Sequence, residues 1–405
     1  MTFEIPEETI TIGDSLLRFV EQEVVPLERS NAGLFSNDRT IYDESGRYTP
    51  AVLDLRRQVR MKSAAAGFYT MLASAELGGG GLTAAAAVYL QALLARHCGP
   101  ARHLVHHVVI PSPFTNGLSP VLLSLAPGLR DRYLPGIATG ERTLCFGLSE
   151  PDAGSDAMAM RTRAVRDGDD WVITGTKQWI TNSPYADYAV IFAAVDGDRR
   201  GITAFFVETA TPGFAVTGII PVMGALGGDT GIIALDGVRV PDANRMGGVG
   251  EGLAVAMRGI NTGRLGMAAT CIGYAEWALA LAIDYARTRR SFGKPIAEHQ
   301  AIQFHLADTA MDIYAGRTML ADCAAQVDGG HPSRGAVAMV KAYATEMLSR
   351  CTDRCIQVHG AMGLTNELRL EAAYRFARTM RIPDGTAEIQ RRTIAAELLN
   401  GNLSF

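Results

Sequence analysis

The sequence predicts a multidomain protein of mixed α and β structure: a helical N-terminal domain, a small β domain, then a helical bundle. Three observations carry this. Apolar residues recur at helical spacing from about residue 8 to 140, as in "DSLLRFVEQEVV" and "AAAAVYLQALLARH". Between about Leu144 and Val240 the texture changes to short β-rich runs ("WVITGT", "KQWIT", "YAVIFAAV", "ITAFFVE", "IIALDGVRV"), with Asp196-Gly197 as a hairpin turn. From Gly252 onward amphipathic segments return, broken at "SFGKP" (291–295), "GGHP" (329–332), "HGAMG" (359–363) and "IPDG" (382–385), which predicts an antiparallel bundle of four long helices. The expected domains are residues 1–142, 143–245 and 246–405.

With 405 residues, 48% of them hydrophobic and 20% charged, the chain can build large cores. A formal net charge of -4 supplies no general attraction to nucleic acid or an anionic membrane, so neither is expected as a partner. The apolar stretch from Leu82 to Ala95 is too short to span a bilayer. The acidic, proline-containing start "MTFEIPEETI" is unlike a secretory or transit signal, so a soluble, cytoplasmic protein is the expectation. Six cysteines without a CxxC pair predict reduced thiols in the core; Cys351 and Cys355 share a helix face, but no partner completes a zinc pattern and no metal is expected.

Four blocks could carry chemistry. In "FGLSEPDAGSDAMAM" (146–160), Ser149, Gly154 and Ser155 offer hydroxyls and bare backbone to a phosphate or a cofactor edge, though such a loop can also be only a loop. In "GTKQWITN" (175–182), alternation puts Trp179 and Thr181 on one face of a strand, where an indole and a hydroxyl could meet a planar ring or simply line a barrel. "RRSFGKPIAEHQ" (289–300) reads as a helix end closed by Arg289 and Arg290, a turn at Phe292-Gly293 and a new helix near Pro295. The fourth, "RIPDGTAEIQ" (381–390), holds Asp384 between proline and glycine at the mouth of a helix, which is either an ordinary turn or a device for aiming a carboxylate.

In this order and spacing, over essentially the whole chain, the blocks resemble the acyl-CoA dehydrogenase family of flavoproteins, with its "TEPxAGSD", "GxKxWITN", "RxxFGxxIxxxQ" and "YEGTxEIQ" patterns. "VPLE" (25–28), "GGGGLT" (78–83) and "VPDANRMGGVGEGL" extend the likeness. The resemblance implies a helical N-terminal domain, a central β-barrel-like domain and a C-terminal four-helix bundle. It implies FAD between the β domain and the bundle, with a neighbouring subunit holding the adenine portion. It places Phe146, Leu148, Ser149, Gly154 and Ser155 along the flavin or acyl-CoA site, and Trp179 and Thr181 against the isoalloxazine. It sets Arg289, Phe292, Gln300, Gln357 and the Ala361 backbone on FAD across a subunit interface, with Thr386 and Glu388 on FAD after the base. Arg264, in "NTGRLG", and Gly385 fall near the bound thioester, as does Ser155.

The implied reaction is α,β-dehydrogenation of an acyl-CoA: a carboxylate takes the α proton while hydride leaves the β carbon for flavin N5. Electrons would pass to an electron-transfer flavoprotein from a homotetramer or dimer. The base position is Asp384, where the common pattern has glutamate, and proline stands for the preceding tyrosine. One methylene less shortens the reach by about 1 Å, a displacement that can cost on the order of a hundredfold in rate. An alternative base site on the first bundle helix is here Gly263, which cannot serve; Glu388, one turn beyond Asp384, is a lesser candidate. Asn261 replaces a common aspartate.

The aspartate leaves other uses of the scaffold open: a carrier-protein thioester, desulfination, flavin monooxygenation, or non-catalytic binding of acyl-CoA or nucleic acid. His103, His106 and His107 have helical spacing but read as structural, His359 as packing beside the FAD turn, and Met257, Met267, Met311, Met319, Met339, Met347 and Met362 mostly as bundle core.

Overall fold

A computed structural model of the chain describes residues 5–403 apart from 101, 196–197, 224 and 332. In chain order the helices are α1 Glu7–Phe19, α2 Val25–Ser30, α3 Asp38–Ile41, α4 Pro50–Ala65, α5 Ala84–Cys98, α6 Pro127–Ala138, α7 Gly252–Thr288, α8 Gln300–Asp328, α9 Arg334–His359, α10 Leu370–Met380 and α11 Ala387–Leu399. Between α6 and α7 lie β1 Leu144–Gly147, β2 Arg163–Asp167, β3 Asp170–Thr181, β4 Tyr188–Val195, β5 Asp198–Glu208, β6 Phe214–Ile219, β7 Thr230–Pro241 and β8 Arg245–Met246. A hairpin of β9 Arg290–Ser291 and β10 Lys294–Pro295 joins α7 to α8. The chain resolves into two compact units, one of residues 1–22, 83–103 and 263–405, the other of 23–82 and 104–262.

The second unit is organised by an eight-stranded sheet in the order β6-β7-β3-β2-β4-β5-β8, with β1 added on β4. Most pairings are antiparallel, while β1 and β2 run parallel to β4. Strand β4 is buried along its length, and Phe192, Phe205 and Phe206 are among the largest fully enclosed side chains. β4 and β5 pair in register from Tyr188 to Ala194 and shift register at Val195, but the expected turn residues Asp196 and Gly197 lie outside the described residues. Alternation on β3 buries Trp171, Ile173 and Lys177, and the register shift between Lys177 and Ile180 then turns Ile180 inward and leaves Trp179 and Thr181 outside.

The first unit is a helical core. Ala268, Ala269, Cys271, Ile272 and Ala275 of α7 pack with Ile313 and Leu320 of α8 and with Val340, Ala344, Met347 and Leu348 of α9. Small residues on α7 let neighbouring backbones come close: a Cβ on Gly273 would lie 2.4 Å from the Ala92 carbonyl oxygen. By length and composition α7 could cross a membrane, but half of its most apolar window is buried in protein. The second half of α7 thus spends its apolar surface on this core.

Three expectations are corrected. Among the described residues after 252, α7, α8 and α9 are long as expected, but in place of a fourth long helix the segments on either side of the expected break at 382–385 are short, α10 with 11 residues and α11 with 13. Residues 103–109 form turns and not a helix, and His107 takes a φ of 54°, so the three histidines do not share a helical face. Met311 and Met362 are exposed and not core, since they lie on faces turned away from the packed interior, whereas Met347 is fully buried.

Candidate active site

The sharp break after α10 begins with Arg381 capping that helix and ends with Thr386, whose hydroxyl accepts from the Ile389 N–H at 3.3 Å and starts α11. Pro383 cannot continue a helix, and the next two residues are both left-handed, Asp384 at φ 57° and Gly385 at φ 91°. Glycine takes such a φ freely; aspartate tolerates it better than most residues, at some cost.

What holds this conformation is a ring of buried donors on two successive carbonyls. Arg264 Nε donates to the Asp384 oxygen at 2.9 Å, and Gln390 Nε2 donates to the Asp384 and Gly385 oxygens at 3.0 Å each. Lys341 Nζ donates to the Gly385 oxygen at 2.8 Å. Lys341 and Gln390 have no exposed surface and Arg264 almost none. A Cβ on Gly385 would sit 2.7 Å from Gln390 Nε2 and 3.3 Å from an Arg264 nitrogen, so the clamp closes only around glycine.

The half-buried Asp384 carboxyl is pushed up to about 6 by burial, with the Lys341 and Arg264 cations pulling the other way. Lys341 is brought down to about 8, again by burial, against the raising effect of Asp384. Burial also lowers Arg264, which nevertheless stays cationic. A carboxyl that titrates near neutrality, on a bend its neighbours fix, is what a general base requires. Glu388 differs: it is exposed in the first turn of α11, and its carboxyl lies below the ordinary range because of local hydrogen bonds.

The sheet unit presents a second arrangement. Lys177 and Glu150 form a buried ion pair at 2.7 Å, and Lys177 also donates to the Leu148 oxygen at 3.2 Å. Glu150 accepts from the Arg161 and Thr162 N–H groups at 2.5 and 3.0 Å. Burial pushes Glu150 up, but Lys177 and these donors more than offset it, leaving it below its ordinary value. Glu150 thereby ties the two ends of the loop bearing Ser149, Gly154 and Ser155 to each other, and Lys177 ties the first of them to β3. Its Ser149 oxygen accepts from the Gln178 N–H at 3.0 Å, beside Trp179. Gly154 and Ser155 are exposed, Leu148 is half-buried, and Phe146 meets Phe114 edge-on and Phe192 at a tilt. Trp179 has a φ of 64° at a register shift between Lys177 and Ile180 and leaves 55% of its surface exposed. A strand bulge is a means of re-aiming a side chain.

At the β9–β10 hairpin Phe292 (φ 52°) and Gly293 (φ 81°) form the tip, and Phe292 is 94% exposed. Arg289, Gln300, Gln357 and Ala361 are exposed as well. His359 is buried, its ring tilted against Tyr285 with centroids 4.6 Å apart, and its Nδ1 bonds to the Cys355 oxygen at 2.7 Å. The buried thiols of Cys351 and Cys355 are pushed up to about 12, which makes them inert.

The structure therefore brings Asp384, Gly385 and Arg264 into one cluster, and Ser149 beside the strand of Trp179 and Thr181 into another. Lys341, Gln390, Glu150 and Lys177 were not singled out from sequence. A signal existed for two of them: Lys341 is the one cation in the run "AVAMVKAYAT", and Lys177 falls on the inward parity of β3.

Comparison with known proteins completes this picture. Residues 145–238 match the middle domain of acyl-CoA dehydrogenases and residues 250–399 their C-terminal domain. The chain is 36% identical over 359 residues to subunit CarC of the caffeyl-CoA reductase-Etf complex of Acetobacterium woodii, covering 88% of this chain and 92% of that one. It is 35% identical over 335 residues to the human mitochondrial short-chain specific acyl-CoA dehydrogenase, covering 82% and 80%. The butyryl-CoA dehydrogenase structure from Megasphaera elsdenii superposes with a TM-score of 0.82 at 28% identity, over 98% of this chain and all of that one. FAD is the cofactor of these enzymes, and the residues here fit it: a flat indole and a hydroxyl stand exposed on one strand face, and an aromatic tip beside Arg289 is left uncovered. This chain belongs to the acyl-CoA dehydrogenase family of FAD-dependent oxidoreductases.

Proposed function

We propose that the chain catalyses α,β-dehydrogenation of an acyl-CoA thioester to the trans-2-enoyl-CoA, with Asp384 as the base for the α proton. The observation that carries this is the clamped left-handed bend, which fixes a carboxyl of raised affinity for protons at the family's base position.

In this reading the ionised Asp384 takes the α proton onto a carboxylate oxygen as hydride leaves the β carbon. Bound FAD supplies the acceptor for that hydride. Because a trans peptide sets N–H and C=O on opposite sides, drawing the Asp384 oxygen toward Arg264 and Gln390 turns the Gly385 N–H away from them. There it can donate to a thioester carbonyl and stabilise developing enolate charge. Contacts of Ser155 and Arg264 with substrate belong to the same proposal. So do contacts of Phe146, Leu148, Ser149, Gly154, Ser155, Trp179, Thr181, Arg289, Phe292, Gln300, Gln357, Ala361, Thr386 and Glu388 with FAD, and the division at 1–142, 143–245 and 246–405.

An electron-transfer flavoprotein is the proposed acceptor, supported by the relative that is a subunit of an Etf complex. A cytoplasmic homotetramer or dimer is proposed; the exposed Phe304, Met311 and Tyr314 of α8 would favour self-association. That relative's name also favours a second reading, in which the same atoms run the reaction toward enoyl-CoA reduction.

The test is the visible spectrum of the FAD-loaded protein under anaerobic conditions, with straight-chain, branched, cyclic and aromatic acyl-CoAs added singly. Bleaching by one class supports dehydrogenation and names the substrate. Reoxidation of the dithionite-reduced protein by an enoyl-CoA, without bleaching by any acyl-CoA, would favour the reductase reading. No response in either direction would sink both.

A further inference from the structure

We propose that Lys341 is a positioning residue for proton abstraction: its buried ammonium locks the Gly385 carbonyl beside the base and supplies the positive charge that keeps Asp384 ionised. The proposal rests on the reading of Asp384 as the base. Lys341 projects from the middle of α9, has no exposed surface, and reaches the Gly385 oxygen at 2.8 Å. Carbonyl pairing alone does not account for it. Gln390, a neutral donor, already reaches that oxygen at 3.0 Å, so the backbone would be satisfied without a cation. Burying an ammonium is costly unless a counter-charge repays it.

The groups facing Lys341 identify that counter-charge. Of the charged and titratable groups Asp384 acts on it most strongly; Cys271 and Arg264 on α7 and Glu388 on α11 act on it as well, and Arg334 in turn acts on Arg264. Among these, Glu388 is exposed and the Cys271 thiol is pushed up to about 12, hence neutral. Asp384 is therefore the anion that Lys341 serves. Two successive left-handed residues store strain that persists only where surrounding contacts over-determine them, and of those contacts Lys341 and Arg264 are the cations that also bear on the carboxyl.

The experiment uses the FAD-loaded full chain carrying Lys341→Met, with Lys341→Gln as a second variant that keeps an N–H donor without the charge. Asp384→Asn runs in parallel. Two quantities are read. One is the titration midpoint of the infrared carboxyl signal that Asp384→Asn removes. The other is anaerobic flavin reduction by butyryl-CoA, isobutyryl-CoA, cyclohexanecarbonyl-CoA and 3-phenylpropionyl-CoA, as limiting rate and half-saturating concentration. In Lys341→Met the midpoint is expected to rise by about one unit or more. The limiting rate is expected to fall on the order of tenfold to a hundredfold, with half-saturation changed by less than about threefold. Lys341→Gln is expected to recover much of the rate while keeping the raised midpoint. An unmoved midpoint in either folded variant overturns the proposal, as does failure of both to accumulate folded, which would mark a purely structural lysine. Full flavin reduction by Asp384→Asn would instead overturn the parent reading of the base.

Discussion

Arg264 on α7 donates its Nε–H to the carbonyl oxygen of Asp384 at 2.9 Å, joining positions 120 residues apart. The contact orients the backbone that carries the carboxyl, and its charge opposes the burial that raises that carboxyl. Lysine cannot reproduce a planar guanidinium held at this distance. Arg264→Lys should lower the limiting rate of flavin reduction on the order of tenfold, and Arg264→Met on the order of a hundredfold. In the Met variant the acid limb of the rate profile should also move to higher pH, because a cation near the base is gone. Stopped-flow reduction across pH 5–9 checks both.

Activity should fall as pH drops through about 6, where Asp384 takes up a proton. Asp384→Asn should keep the left-handed bend, which asparagine tolerates, and lose on the order of 10²- to 10⁴-fold in reduction rate. The linkage to stability has the opposite sign from that of a salt-bridged carboxylate. A folded-state pKa raised above 3.8 means that the native state binds the extra proton between that value and about 6, so this group's contribution to stability decreases as pH rises through that window. Asp384→Asn lacks the dependence; the difference in Tm between variant and wild type should shift in the variant's favour from pH 4 to pH 7 in scanning calorimetry.

Gly385→Ala meets two obstacles, a φ of 91° and a clamp that leaves 2.7 Å for the new Cβ. The backbone term alone is about 1–2 kcal/mol. The variant should retain FAD but lose at least as much reduction rate as Arg264→Lys, because relief of the strain rotates the base away. Loss of rate without loss of bound flavin, measured on the same sample, distinguishes this outcome from general unfolding.

The Lys177–Glu150 pair should behave as a buried ion pair does when one partner is removed. Lys177→Met leaves Glu150 charged and unpaired, with an expected loss of about 3–5 kcal/mol in urea unfolding. Because Glu150 also holds the Arg161 and Thr162 N–H groups, the loop from 148 to 162 should become more susceptible to protease. Removing both charges, in Lys177→Met with Glu150→Gln, should recover part of the lost stability.

Periodicity alone determined the order helical, β, helical, because an apolar stripe of period 3.6 and an alternation of period 2 are local properties of a chain. That Trp179 and Thr181 share a strand face was expected for the same reason, but not which way that face turns. So was the bend at Asp384, since proline and glycine act on their own and adjacent dihedrals. Tertiary structure decided what those features meant. Trp179 owes its direction to a bulge created by pairing with β7, and Asp384 owes its proton affinity to burial beside Lys341 and Arg264. The clamp on residues 384 and 385 draws one side chain each from α7, α9 and α11, and the anchor of the 148–162 loop lies 27 residues away on β3. Partners so distant in sequence leave no periodic trace, because hydrogen bonds and charge interactions depend on separation in space.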